Sequence, residues 1–138
     1  MINKILFVIL VLAAFVLTSC GGSSANPDAD VIGTLASVPD EFSGQANPLG
    51  ADAAAAGANV FRNNCEACHG QHGHGDGPAG ASLVPAPKNL ASLQTLAGDD
   101  YLFWRISNGK DGTAMIGWKG VLTDEQIWQV IAFIRTLK

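Results

Sequence analysis

Two of the chain's three cysteines and all three of its histidines fall within residues 62–77, "RNNCEACHGQHGHGDG". Thiols and imidazoles at this density serve a metal, a disulfide or a covalently attached group. Cys65, Cys68 and His69 form C-x-x-C-H, with His72 and His74 trailing. A thioredoxin-type redox pair sits in a βαβ context, and no strand-like alternation precedes Cys65. Zinc would need Cys65, Cys68 and two of His69, His72 and His74. So tight a cluster strains a tetrahedral shell, and no second C-x-x-C supplies another half. A disulfide between Cys65 and Cys68 closes too small a loop to stabilise much.

The remaining chemistry is the attachment of a c-type heme. Two thiols on one helical turn add across the two vinyl groups on one porphyrin edge, and the following imidazole then lies under the iron. The sequence thus predicts one covalent heme c on Cys65 and Cys68, with His69 as an iron ligand. A sixth ligand is expected at Met115, the one methionine after the initiator, which lies 46 residues beyond His69 in a Gly-rich loop. Its thioether is soft and neutral, and a Met/His pair raises the reduction potential. The competing role for Met115 is that of a gap-filling core residue. His72 and His74 stand too close to His69 in sequence to reach round a heme and are expected as solvated loop residues.

These residues need elements to hold them. "ADAAAAGANVFRNNC" predicts a helix starting near Asp52, with Ala53, Ala56, Gly57, Val60, Phe61 and Asn64 on one face. Residues 70 to about 97 are rich in Gly and Pro and too long for an idle loop, so they should wrap something. "GDDYLFWRISNG" predicts a short helix with Asp99 and Asp100 at its start and Asn108-Gly109 as its stop. "TDEQIWQVIAFIRTLK" opens with a capping box, Thr123 and Gln126. Ile127, Val130, Ile131, Ile134 and Leu137 form its apolar stripe, and Arg135 and Lys138 suit the negative end of its dipole. No convincing strand pattern appears. The expected domain, residues 51–138, is all-α, with short helices and long loops around a large apolar filler. Leu83, Leu90, Leu102 and Ile106 are candidates for the wall facing it.

The N-terminal residues carry an address. Lys4 is a minimal positive region, and Ile5–Leu17 is an apolar run of 13 residues, short for a membrane span and suited to a signal-peptide core. "LTSC" resembles the lipobox of bacterial lipoproteins, which implies cleavage after residue 19 and lipidation of Cys20. Residues 20–50, rich in Gly, Ser, Pro, Ala and Asp, read as a lipid-anchored flexible tether; "VIGTL" and "EFSG" offer apolar anchors should the stretch lie along a partner instead. An extracytoplasmic address suits heme c. The whole chain of 138 residues has a net charge of −4, and its few basic residues are scattered. No basic face for nucleic acid is evident, so that class is set aside. Without residues 1–19 the chain keeps 7 basic and 12 acidic side chains, a net of −5.

Residues 51–138 resemble class I cytochromes c, in particular the short bacterial kind. The resemblance covers the first helix, C-x-x-C-H, the methionine loop and the C-terminal helix. It implies that the first and last helices cross at a small residue beside aromatics, matched here by Gly57 and Phe61 and by Phe133, with Trp128 nearby. It also implies that a proline carbonyl accepts a hydrogen bond from the proximal imidazole. Pro78 is the match, with Pro85 and Pro87 as rivals. Trp118 is a candidate partner for a heme propionate or a core side chain, and Arg105 is a candidate partner or an exposed cation. The family often has Pro directly after the ligand methionine; here Ile116 stands in that place. The lipobox, the tether and "GHGDGPAG…LVPAPKNL" further resemble the monoheme lipoprotein subunits of alternative complex III.

With both axial positions filled by protein, the expected work is outer-sphere electron transfer rather than enzymatic turnover; no acid–base pair, nucleophile or small-molecule substrate site is evident. The expected partners are a quinol-oxidising complex, other cytochromes, and a terminal oxidase or soluble carrier, in a respiratory or photosynthetic chain. The other class is a heme sensor or peroxidase-like protein whose sixth ligand is labile.

Overall fold

The structure, a computed structural model, describes residues 35–138. The apolar leader, Cys20 and the first part of the tether lie outside the described residues.

Among the described residues five helices follow one another: α1 Ala53–Asn64, α2 Glu66–His69, α3 Leu90–Leu93, α4 Asp99–Asn108 and α5 Asp124–Ile134. Among the described residues there are no strands, only isolated bridges between Gly109 and Ile116 and between Lys119 and Leu122. No helix among them is long and apolar enough to cross a membrane. The first and last long helices form the central pair. Gly57 is the crossing point, since a Cβ there would be driven into the carbonyl of Gln129 on α5. The Phe61 and Phe133 rings then meet at 5.1 Å beside the crossing. The α5 stripe read from the sequence is buried as expected, at Ile127, Val130, Ile131 and Ile134, with Leu137 just beyond.

The capping box of α5 forms in both directions: the Gln126 amide donates to the Thr123 hydroxyl, and the Thr123 amide to Gln126 Oε1. On the first helix, Ala56 is exposed, so the buried face is narrower than the pattern suggested and centres on Gly57 and Phe61. Helix α3 is an addition to the expected elements. It is four residues long and capped by Asn89, whose side chain accepts from the Ser92 amide. It buries Leu90 and Leu93.

Residues 38–49, expected as part of the tether, lie along α4 and α5. Phe42 is buried against Phe103, with ring centroids 6.3 Å apart, and Phe103 stacks on Trp128 at 4.2 Å. The amides of Gly44 and Asn47 donate to the carboxylates of Asp100 and Asp99, each at 3.0 Å, and the Asn47 side chain donates to the Trp128 carbonyl. Here the polar composition hid one apolar anchor and a set of backbone donors that find acceptors on the domain. Arg135 closes the same corner. It donates to Asp99 at 2.6 Å and to the carbonyls of Gln94 and Ala97. It therefore works as a tertiary clamp rather than only as a charge at a helix end.

Candidate functional site: the heme pocket

α1 runs into the C-x-x-C-H turn with a single break. Cys65 closes α1 by donating its amide to Phe61, and its carbonyl then accepts from the His69 amide at 2.9 Å. Cys65 and Cys68 form no disulfide with each other. Burial, and then the neighbouring Cys68, push the Cys65 thiol up to about 12. Among the described residues no three His, Cys, Asp or Glu side chains come together to hold a metal ion.

The Gly-rich run folds back over this turn. The Gly75 amide donates to the His69 carbonyl, Gly77 to Cys68 and Ala79 to Ala67. The chain then returns so that the Lys88 carbonyl accepts from His69 Nδ1 at 3.1 Å. A carbonyl only accepts, so Nδ1 carries the hydrogen and Nε2 keeps its lone pair. Burial holds the His69 pKa below the ordinary histidine value, with the Lys88 bond acting weakly in the other direction, so the ring is neutral at neutral pH. Pro78, expected to supply that carbonyl, does not: it is exposed on the loop. The acceptor sits one residue after Pro87. The Gly-rich segment is consumed in wrapping the C-x-x-C-H turn, and only the returning strand of the loop reaches the ring.

Met115 comes from the loop between α4 and α5. Gly109 ends α4 with φ +77, which a side chain would strain, and its position leaves no room for a Cβ beside the Met115 carbonyl. The Lys110 amide donates to that carbonyl, and the Trp118 amide to Ile106 at 2.9 Å. Thr113 braces the loop from inside: its hydroxyl donates to the Lys110 carbonyl at 2.7 Å and accepts from the Met115 amide at 3.1 Å.

These pieces open on one cavity of about 440 Å³, within the usual size for a cofactor site. Cys65, Cys68, His69, Met115, Arg105 and Trp118 all line it, as do the four wall candidates Leu83, Leu90, Leu102 and Ile106. Its described lining holds three cations, Lys88, Arg105 and Lys110, and no carboxylate. Pro78 is absent from it. His72 and His74 lie elsewhere: His74 Nε2 meets the Lys138 carbonyl, and His72 lines a separate polar groove of about 560 Å³ with Arg62, Glu66 and Lys138. That groove is larger but contains none of the cysteines and no Met115.

The donor set fits heme c. Two thiols on one turn, a neutral imidazole with a free Nε2 and a thioether from a distant loop face one apolar space. Arg105 Nε is buried with no partner among the described residues, which suits an anionic substituent entering from the cavity. Lys88 and Thr113 are the residues sequence reading missed. Lys88 acts through its backbone, which no side-chain pattern reveals. Thr113 was visible only as a hydroxyl two residues before the methionine.

Fold and site together define a class I monoheme c-type cytochrome carrying one covalent heme c. The chain belongs to the family described as cytochrome C oxidase, cbb3-type, subunit III, which matches residues 52–134. It is 35% identical over 111 residues to the cbb3-type cytochrome c oxidase subunit FixP of Bradyrhizobium sp. (strain ORS 278), covering 79% of this chain and 35% of that protein. It is 36% identical over 82 residues to cytochrome c6 of Parathermosynechococcus lividus, covering 56% of this chain and 83% of the relative. The chain thus spans about a third of FixP and most of that cytochrome c6. Among solved structures, a chain of the Kuenenia stuttgartiensis reducing HAO-like protein complex superposes with a TM-score of 0.51 at 18% identity, covering 75% of this chain and 46% of that one, a likeness of fold. The protein is an electron-carrying cytochrome.

Proposed function

We propose that the protein is a membrane-tethered carrier of single electrons, held by lipid on Cys20 outside the cytoplasm and working as a subunit of a membrane electron-transfer complex. The observation that carries the electron-transfer chemistry is the convergence of Cys65, Cys68, His69 and Met115 on one apolar cavity. When bound, the heme supplies an iron that alternates between ferrous and ferric states. The chain does the rest. His69 Nε2 and Met115 Sδ would serve as the protein ligands of the iron and so keep oxygen and peroxide from it. The Lys88 carbonyl fixes the tautomer and plane of His69 and raises its basicity. Met115 and the apolar wall of Leu83, Leu90, Leu102 and Ile106 favour the less charged, reduced state. Arg105 would pair with a heme propionate, and Trp118 lines the same cavity as Met115.

The tether and complex are the finer part of this reading. Their support is the lipobox-like "LTSC", the apolar run before it, and a FixP relative whose name makes that protein an oxidase subunit. Alternative complex III is the specific complex proposed, on the likeness of "GHGDGPAG" and "LVPAPKNL" to its monoheme lipoprotein subunits. The electron then arrives from a quinol-oxidising partner or its cytochromes and leaves to a terminal oxidase or soluble carrier.

Optical spectra of the heme-loaded protein test the site. Sharp low-spin bands on reduction and a weak far-red band when oxidised are expected, and Met115→Ala should remove the far-red band and let the ferrous protein bind carbon monoxide. If the unsubstituted ferrous protein itself binds carbon monoxide readily, the sixth position is open and the sensor or peroxidase class replaces the carrier. For the anchor, Cys20→Ala should move the protein from the membrane fraction to the soluble one; unchanged membrane retention would count against a lipid on Cys20.

A further inference from the structure

Arg105 sits in a corner made by two aromatic rings of its own helix. Its Cζ is 3.7 Å from the Trp104 ring centroid and 5.4 Å from that of Tyr101. The two rings meet edge to face, 5.9 Å apart and at 84°. Tyr101 lies one helical turn before Arg105 and so shares its face of α4. Tyr101 and Arg105 both line the heme cavity; Trp104 does not. Arg105 Nε is buried with no partner among the described residues.

Those observations combine into an oriented receptor. An arginine at a cavity mouth ordinarily turns its head toward water. This one has its Cζ over an indole, whose face attracts the cation. Its Nε has no partner among the described residues, and a buried unpaired donor is costly. Lys88 and Lys110 also line the cavity, but among the described residues neither lies over an aromatic ring; each is a flexible point charge.

We propose that Trp104 is a positioning residue for the reduction potential: with Tyr101 it holds the Arg105 guanidinium at the cavity, where it would pair with a carboxylate of the bound heme. The proposal rests on the reading of Arg105 as a propionate partner. A cation fixed there favours the reduced iron, because reduction removes one positive charge from the centre. A cation free to swing into solvent is screened and has little such effect. Trp104 thus acts on the iron without touching the cofactor.

The test is the midpoint potential of the full-length, heme-loaded protein, read by optical redox titration in Arg105→Gln, Trp104→Leu, Trp104→Phe, Arg105→Lys and the double variant Trp104→Leu/Arg105→Gln. The far-red band is followed in each, to confirm that the methionine remains bound. Arg105→Gln should lower the potential. Trp104→Leu should lower it in the same direction, and Trp104→Phe, which restores a flat face, should recover most of the loss. The double variant should match Arg105→Gln alone, because nothing is left to position. Arg105→Lys keeps the charge but loses the planar stack and should behave like Trp104→Leu. It also serves as the deciding variant should Trp104→Leu fail to take up heme.

A wild-type potential in Trp104→Leu or Arg105→Lys overturns the positioning role, and so does a double variant whose shift is the sum of the singles. An unchanged potential in Arg105→Gln instead removes the propionate reading beneath it.

Discussion

The bond network around Met115 separates two properties that a single substitution usually mixes. Among the described residues the Thr113 hydroxyl bonds only within the loop that carries the methionine, to the Lys110 carbonyl and from the Met115 amide, and Thr113 also lines the cavity. Losing a hydrogen bond of this kind costs about 1 kcal/mol. Thr113→Val should therefore weaken the methionine's hold on the iron with little effect on the rest of the fold. The far-red band is expected to disappear at a lower denaturant concentration than in the wild type, while the helical circular dichroism transition stays within about 1 kcal/mol of its original stability. If both transitions move together by the same amount, the loop is not a separately loosened unit. The same logic explains why Lys88 is invisible to side-chain reasoning: its part is played by a carbonyl that every residue owns.

Among the elements, the crossing of α1 and α5 carries the most specific demand. Gly57 is not a helix former, and a glycine in mid-helix is about 1 kcal/mol worse than alanine. On an isolated helix, Gly57→Ala would be stabilising. Here the added methyl meets the Gln129 carbonyl and the Cβ of Phe133, and overpacking at such a site costs about 1–3 kcal/mol. The variant is expected to unfold at a lower temperature than the wild type, read by thermal denaturation of the heme-loaded protein. A gain in stability would mean that the helices move apart freely at that point. Because Phe61, one turn on, lines the heme cavity, the variant should also loosen the packing beneath the C-x-x-C-H turn.

The molecule as a whole is tied together at Asp99. Its carboxylate accepts from the Asn47 amide of the N-terminal segment and from Arg135 after α5, while itself beginning α4. Burial alone would raise its pKa, but the Asn47 amide and Arg135 outweigh that and hold it below the ordinary carboxylate value. A group depressed in the folded state stabilises the fold above its unfolded pKa, roughly 3.9 for Asp. That contribution fades as the pH falls through the lower, folded value. Acid unfolding should thus draw partly on Asp99, and Asp99→Asn should show lower stability at neutral pH and a shallower loss below about pH 4. Denaturant titrations at a series of pH values check this. An identical acid limb in the two proteins would show that the clamp does not contribute.

Much of this was legible beforehand because it is local. C-x-x-C-H is a covalent requirement written in adjacent residues. The capping box of α5 and its stripe are spacings within one helix, and hydrophobic burial enforces both. Gly57 and Phe61 were legible through likeness to other cytochromes. What the tertiary structure alone decided depends on where a long, irregular chain returns. Residues 70–89 have no period to read, so only the folded loop reveals that Lys88, and not Pro78, meets the imidazole. Residues 38–49 look like linker by composition, since a single buried Phe42 and a few backbone donors leave little trace in sequence. Arg105 could be named as a candidate cation from its residue type. That it lies over Trp104, with a buried Nε unpaired among the described residues, is a matter of rotamer and packing, which the order of residues does not encode.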